Sequence, residues 1–231
     1  GSTLIMSLIT TFNLPKLVHE VVNEKQQRLY HSMRLQGLRL WSYWLGFWLW
    51  SLALQASICV PMVLAGYVLG VQVYKHLRFF EYVGILFAWA HSQAGLAAFG
   101  GCFFRSSKIA SIIFYLLLVG SALTVTIINQ LAFLEYWPSL LLLFPPFSYE
   151  RALALMLMGD QAPAGALVEA VSYNLASGTV LLALGVVLHL IIPNEFGLSE
   201  SQVLVDCCCR KPNSNQPQLL DEPLLRHAND E

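Results

Sequence analysis

The chain has 231 residues, 56% of them hydrophobic and only 12% charged, with a net charge of −1 and a mean hydropathy of +0.58. A soluble domain carries about 25% charged residues, so the composition excludes a water-soluble enzyme domain and a disordered chain alike and leaves a polytopic membrane protein. The near-zero net charge also excludes the strongly basic face by which proteins bind nucleic acid.

In chain order, a helix needs about 20 mainly apolar residues to cross about 30 Å of hydrocarbon. Residues 1–18 supply a short apolar stretch broken near Pro15, which reads as a partial span. The sequence opens Gly1-Ser2-Thr3, without Met or a charged n-region, as a fragment or a processed chain does, and no signal peptide is read. Residues 19–40 are polar and read as a cytosolic amphipathic helix. Glu24 and Arg28 stand i,i+4. Val18, Val22, Leu29 and Met33 share one side, and Gly37 is placed to cap the end. Such a helix either lies on the membrane surface with a basic polar face or presses on a soluble partner, and the pattern leaves both open.

Trp41 to Tyr74 contains no charged residue and no His, a run longer than one crossing needs. Pro61 kinks it, or its end includes the turn near Gly70. Phe79–Phe103 is a second span, with His91, Ser92 and Gln93 at mid-depth. Polar residues there are costly and are candidates for a polar substrate path. The alternative is helix-to-helix hydrogen bonding beside Ala94, Gly95, Ala97 and Ala98. Ile109–Phe133 is a third span and Ala170–Ile192 a fourth. Between them, residues 135–165 hold two half-length apolar pieces broken at Pro138, Pro145 and Pro146, the pattern of a re-entrant hairpin. Such backbone must be buried in protein or face water.

The expected fold is an all-α polytopic membrane protein of about five transmembrane helices. Its transmembrane domain covers 41–197, and 198–231 form a polar, Pro-containing cytosolic linker without a core of its own. Ten of the 13 Lys and Arg fall on the side of the 19–40 segment, the Arg105–Lys108 loop and the C-terminus, which places these in the cytosol and the hairpin outside. Cys207, Cys208 and Cys209 precede Arg210 and Lys211. Juxtamembrane thiols beside basic residues are S-palmitoylation candidates, with plain reduced thiols the alternative. Three contiguous thiols make a poor tetrahedral zinc site. No catalytic or metal-binding residues are assigned.

Several motifs stand in a telling order. Glu24-Lys25-Gln-x-Arg28-Leu29 is followed by Met33-x-x-x-Gly37-Leu38 and by Tyr43-Trp44 entering a span. Then come Arg105-Ser-Ser-Lys108, Phe144-Pro145-Pro146-Phe147 and Pro193-Asn-Glu195-Phe196-Gly197. Over roughly residues 15–198 this series resembles the membrane domain of subfamily A ABC transporters. The resemblance implies a lipid-translocating machine that pairs with a nucleotide-binding domain and a second membrane half. It implies coupling to that domain through Glu20, Glu24, Lys25, Arg28, Arg34, Arg105 and Lys108. ATP and magnesium would be bound by the nucleotide-binding domain, since no Gly-Lys dipeptide is available here for a Walker A loop. The family's extracellular domain and preceding span are likewise not among these residues. A rival reading is a truncated, non-transporting scaffold or regulator that pairs with full-length halves. An unrelated channel or carrier would show deep intramembrane charge or a repeated half, and the sequence shows neither.

Overall fold

The computed structural model of the chain describes residues 2–27, 29, 33, 37, 39–69, 79–131, 139–158, 163 and 165–191. Among them there are helices and connections and no strand. The order is α1 (Ser2–Thr11), α2 (Asn13–Gln26), α3 (Leu40–Val68), α4 (Phe79–Gly101), α5 (Ser107–Leu131), α6 (Ser139–Leu142), α7 (Pro145–Met158) and α8 (Ala166–Ile191). Contacts divide the chain between His189 and Leu190, and of the second unit only Leu190 and Ile191 are described.

Three described helices, α3, α5 and α8, are long and apolar enough to cross a membrane. Large apolar side chains such as Leu64, Leu116 and Val180 remain exposed on them, as lipid-facing residues do. The 23-residue α4, which carries His91, Ser92 and Gln93 within its hydrophobic run, is not among these three. It is the packed centre of the bundle. Tyr82, Ile85, Trp89 and the small residues from Ala94 to Ala98 are all buried. Pro61 sits inside the 29-residue α3, which continues to Val68 without a break.

The expected break near Pro15 falls instead at Phe12. A proline ring acts one turn upstream, where it clashes with the carbonyl of residue i−4, here Thr11. Pro15 itself lies in the first turn of α2, where a missing N–H leaves no helical bond unmade. Thr10 and Thr11 add to the break by bonding their hydroxyls back to Met6, Ser7 and Leu8 carbonyls. Helix α2 then continues through the expected 18/19 boundary to Gln26, packed on α4 and α5. Leu14, Leu17, Val18 and Val22 are buried there. Gly37 has φ +94°, the left-handed conformation a cap requires.

Within the expected hairpin, α6 turns at Leu143 and Phe144 into α7, whose helix opens on Pro145 and Pro146. Helix α7 is too short to cross a membrane, and it is sunk into the protein against α1, α4 and α5.

Candidate functional site

The polar half of α2 faces the start of α3 on one side and the end of α4 on another. Tyr43 donates its hydroxyl to Glu24 Oε2 at 2.6 Å, and Trp50 Nε1 donates to Glu20 Oε2 at 2.7 Å. Lys25 Nζ donates to the Cys102 carbonyl oxygen at 3.1 Å. That carbonyl lies just past the last turn of α4, where backbone acceptors have no helical donor and a cation is favoured. Lys16 lies 6.0 Å from the centre of the Trp50 ring, at the outer limit of a cation–π contact. Gly101 admits this packing: a Cβ there would stand 2.7 Å from Val21 Cγ1.

Glu20, Glu24 and Lys25 are therefore gathered at one junction of three helices, each half-buried and bonded within the chain. Arg105 in the α4–α5 connection and Lys108 in the first turn of α5 follow Cys102 and are exposed. The two remaining coupling candidates, Arg28 and Arg34, lie outside the described residues, as do Cys207, Cys208, Cys209, the 198–231 linker and the Pro193–Gly197 motif.

His91, Ser92 and Gln93 each bond to a neighbouring helix. Trp48 Nε1 donates to His91 Nδ1 at 2.9 Å, so the ring proton sits on Nε2 and is donated to Thr179 Oγ1 at 3.0 Å. Thr179 in turn donates to the Leu175 carbonyl. Ser92 donates to the Asn174 carbonyl at 2.7 Å. Gln93 Nε2 donates to the Thr10 carbonyl at 3.3 Å, while Gln93 Oε1 is buried without a hydrogen-bond partner among the described residues. Ser92 and Gln93 are fully buried, so in this conformation only His91 can be reached from outside. The α4–α8 contact is close because glycines face it. A Cβ on Gly178 would lie 2.8 Å from Ser92 Cα, and one on Gly185 would lie 2.7 Å from Phe99 N.

A polar layer around the α1–α2 break was not foreseen. The Thr10 carbonyl accepts from Trp89 Nε1 as well as from Gln93, both at 3.3 Å. Thr10 Oγ1 is bonded to the Tyr149 hydroxyl, Ser7 donates to Glu150 Oε1, and Asn13 Nδ2 donates to Gln55 Oε1 at 3.2 Å. Tyr149 stacks on Trp89 with centroids 4.5 Å apart. The Thr10 carbonyl at the break is thus met by side chains of α4, while side chains of α3 and α7 bond the polar side chains around it. The visible signal was Gln55, a polar residue inside a charge-free run.

These features define an all-helical integral membrane domain with a broken helix at its centre and a polar junction at one end. Residues 1–187 match the family described as "ABC-2 family transporter protein". The chain belongs to that family, and it is similar to ABC transporter A family members. It is 29% identical over 145 residues to ABC transporter A family member 3 of Arabidopsis thaliana, covering 61% of this chain and 16% of that protein. It is 28% identical over 109 residues to ABC transporter A family member 9 of Dictyostelium discoideum, covering 47% and 13%. With ABC transporter A family member 12 of Arabidopsis thaliana it shares 26% identity over 155 residues, covering 65% and 17%. The matched segments span 13–17% of the length of these relatives.

Proposed function

We propose that this chain is the lipid-passing membrane domain of an ATP-driven transporter, and that α2 carries the motion of a nucleotide-binding domain into the bundle. The observation that supports this most is the triple attachment of α2 through Glu24–Tyr43, Glu20–Trp50 and Lys25–Cys102. Force applied at the end of α2 is delivered at once to the start of α3 and the end of α4. The same helix runs inward to the break at Phe12, so the motion reaches the buried polar layer. Exposed Arg105 and Lys108 stand next to the Lys25–Cys102 contact and offer charge to a soluble partner.

In this reading the junction and the C-terminal tail face the cytosol, and ATP and magnesium are held by the nucleotide-binding domain. A second membrane half completes the passage. The cargo is a lipid or another amphipathic molecule that moves between leaflets.

The test joins this chain to a matching ATPase domain and a partner half, in vesicles carrying labelled phospholipid. ATP-dependent exchange between leaflets is expected. Glu24→Ala with Lys25→Ala should abolish the exchange while nucleotide binding persists. Exchange that ignores ATP, or survives the double substitution, overturns the coupling role. An assembled complex that hydrolyses ATP but moves no lipid favours the scaffold or regulator.

A further inference from the structure

Helices α3 and α4 do not close on each other along their whole length. Between them lies a groove of about 250 Å³, walled by Ala56 and Val60 of α3 and Val83 and Phe87 of α4, with Gln55 and Cys59 at its base. Its volume approaches that of small-ligand pockets, which start near 300 Å³. Ala56, Val60, Val83 and Phe87 are exposed, so the groove opens sideways.

We infer that this groove binds one acyl chain of a bilayer phospholipid. Two observations select that occupant. The first is the base. Gln55 is the polar residue of the lining, and both ends of its amide are already used. Oε1 accepts from Asn13, and Nε2 donates to Cys59 Sγ at 3.3 Å. A trapped water or a headgroup needs two to four polar partners, whereas the surface open to the groove is almost wholly apolar and the Gln55 amide, engaged at both ends, keeps only one N–H and one lone pair. An apolar guest leaves every one of these bonds intact. The second is the mouth. Helix α3 crosses the membrane, and the groove is continuous with its exposed face at Leu49, Val60 and Leu64. The medium against that face is hydrocarbon. A narrow apolar cleft that opens on hydrocarbon fills with a chain segment, because an empty one forfeits dispersion contacts on both walls.

The base gives the site a second connection. Gln55 is bonded to Asn13, the first residue of α2 beyond the break. A chain seated against Gln55 therefore lies one hydrogen bond away from the helix proposed to carry the transport motion. Binding in the groove does not depend on that motion, nor on lipid being the cargo.

The test places the 231-residue chain in phosphatidylcholine vesicles containing a phosphatidylcholine with a diazirine on one acyl chain. The sample is irradiated without ATP, and adducts are mapped by mass spectrometry. Phe87 is 46% exposed, less than Ile112 at 59% and Leu116 at 68% on the membrane-facing side of α5. Simple contact with bulk lipid would label Phe87 less than those two. A bound chain should label it more. Ala56→Phe fills the groove and should return Phe87 to the level of Leu116, and Val83→Phe does the same from the opposite wall if Ala56→Phe fails to fold. Labelling of Phe87 at or below Leu116 in the unaltered chain overturns the site. So does labelling that neither substitution reduces.

Discussion

Glu24 and Tyr43 join α2 to the first turn of α3 by a 2.6 Å hydrogen bond between residues 19 apart in sequence. The acceptor is a half-buried carboxylate, and a hydrogen bond to a charged group contributes about 1.5–3 kcal/mol. Tyr43→Phe should therefore destabilise the bundle by about 1–2 kcal/mol, a discount for partial exposure. Glu24→Gln should cost less alone. The double substitution should cost less than the sum, because the two side chains share one interaction. Unfolding in mixed micelles with all four variants measures this coupling, and strict additivity would show that the bond contributes nothing.

This pair also marks the limit of what the sequence disclosed. Glu24 was legible as a charged residue on a helix, and Tyr43 as an aromatic entering a span. Periodicity has no term for a partner 19 residues away, so the bond between them was not. Long apolar runs disclosed α3, α5 and α8, because crossing hydrocarbon is a condition on length and composition. The break at Phe12 was anticipated at Pro15, the residue that causes it rather than the one that yields. The partners of Ser7, Thr10 and Gln55 stayed hidden because a single polar residue in an apolar run gives no hint of which helix it will meet. Ala94, Gly95, Ala97 and Ala98 did announce a close helix contact, but only the structure supplies Gly178 and Gly185 opposite that surface.

That close contact separates two kinds of helical glycine. A Cβ on Gly178 would meet Ser92 Cα at 2.8 Å, a backbone atom that cannot swing aside. A Cβ on Gly120 would meet nothing within 4 Å. Gly178→Ala should cost about 1–3 kcal/mol through forced separation of α4 and α8. Gly120→Ala should be neutral or stabilising by up to about 1 kcal/mol, the ordinary helical preference for alanine. Thermal melts of the two variants in the same vesicles check the contrast. Similar losses at both positions would mean that α8 does not touch α4 in the membrane.

Glu150 is 4% exposed and accepts from Ser7 on α1. A buried carboxylate with a hydroxyl donor keeps a large desolvation cost. Glu150→Gln keeps an acceptor for Ser7 and removes the charge, so it should fold at least as well as the original. Glu150→Leu leaves the Ser7 hydroxyl without this acceptor and should lose about 1–3 kcal/mol. Parallel denaturation curves decide the matter. A Gln variant as damaged as the Leu variant would show that the negative charge itself is required, through a partner other than Ser7.

The Thr10 carbonyl offers the sharpest view of the broken helix. It lies in the last turn of α1 and accepts from Trp89 and Gln93 rather than from a helical N–H. Trp89→Phe keeps most of the stacking on Tyr149 and removes one donor. Gln93→Leu removes the other and also removes the unpaired Gln93 Oε1, so its two effects oppose each other. Each single variant leaves one donor in place and should cost about 1 kcal/mol. Together they strip a buried carbonyl of both partners, and the loss should exceed the sum, because the last donor carries the whole desolvation penalty of that oxygen. If α2 carries motion through this break, the double variant should also uncouple ATP hydrolysis from lipid exchange in the assembled transporter. A loss of stability no greater than the sum of the two single losses would mean that the carbonyl finds water or another donor. The break would then be held open by Pro15 alone.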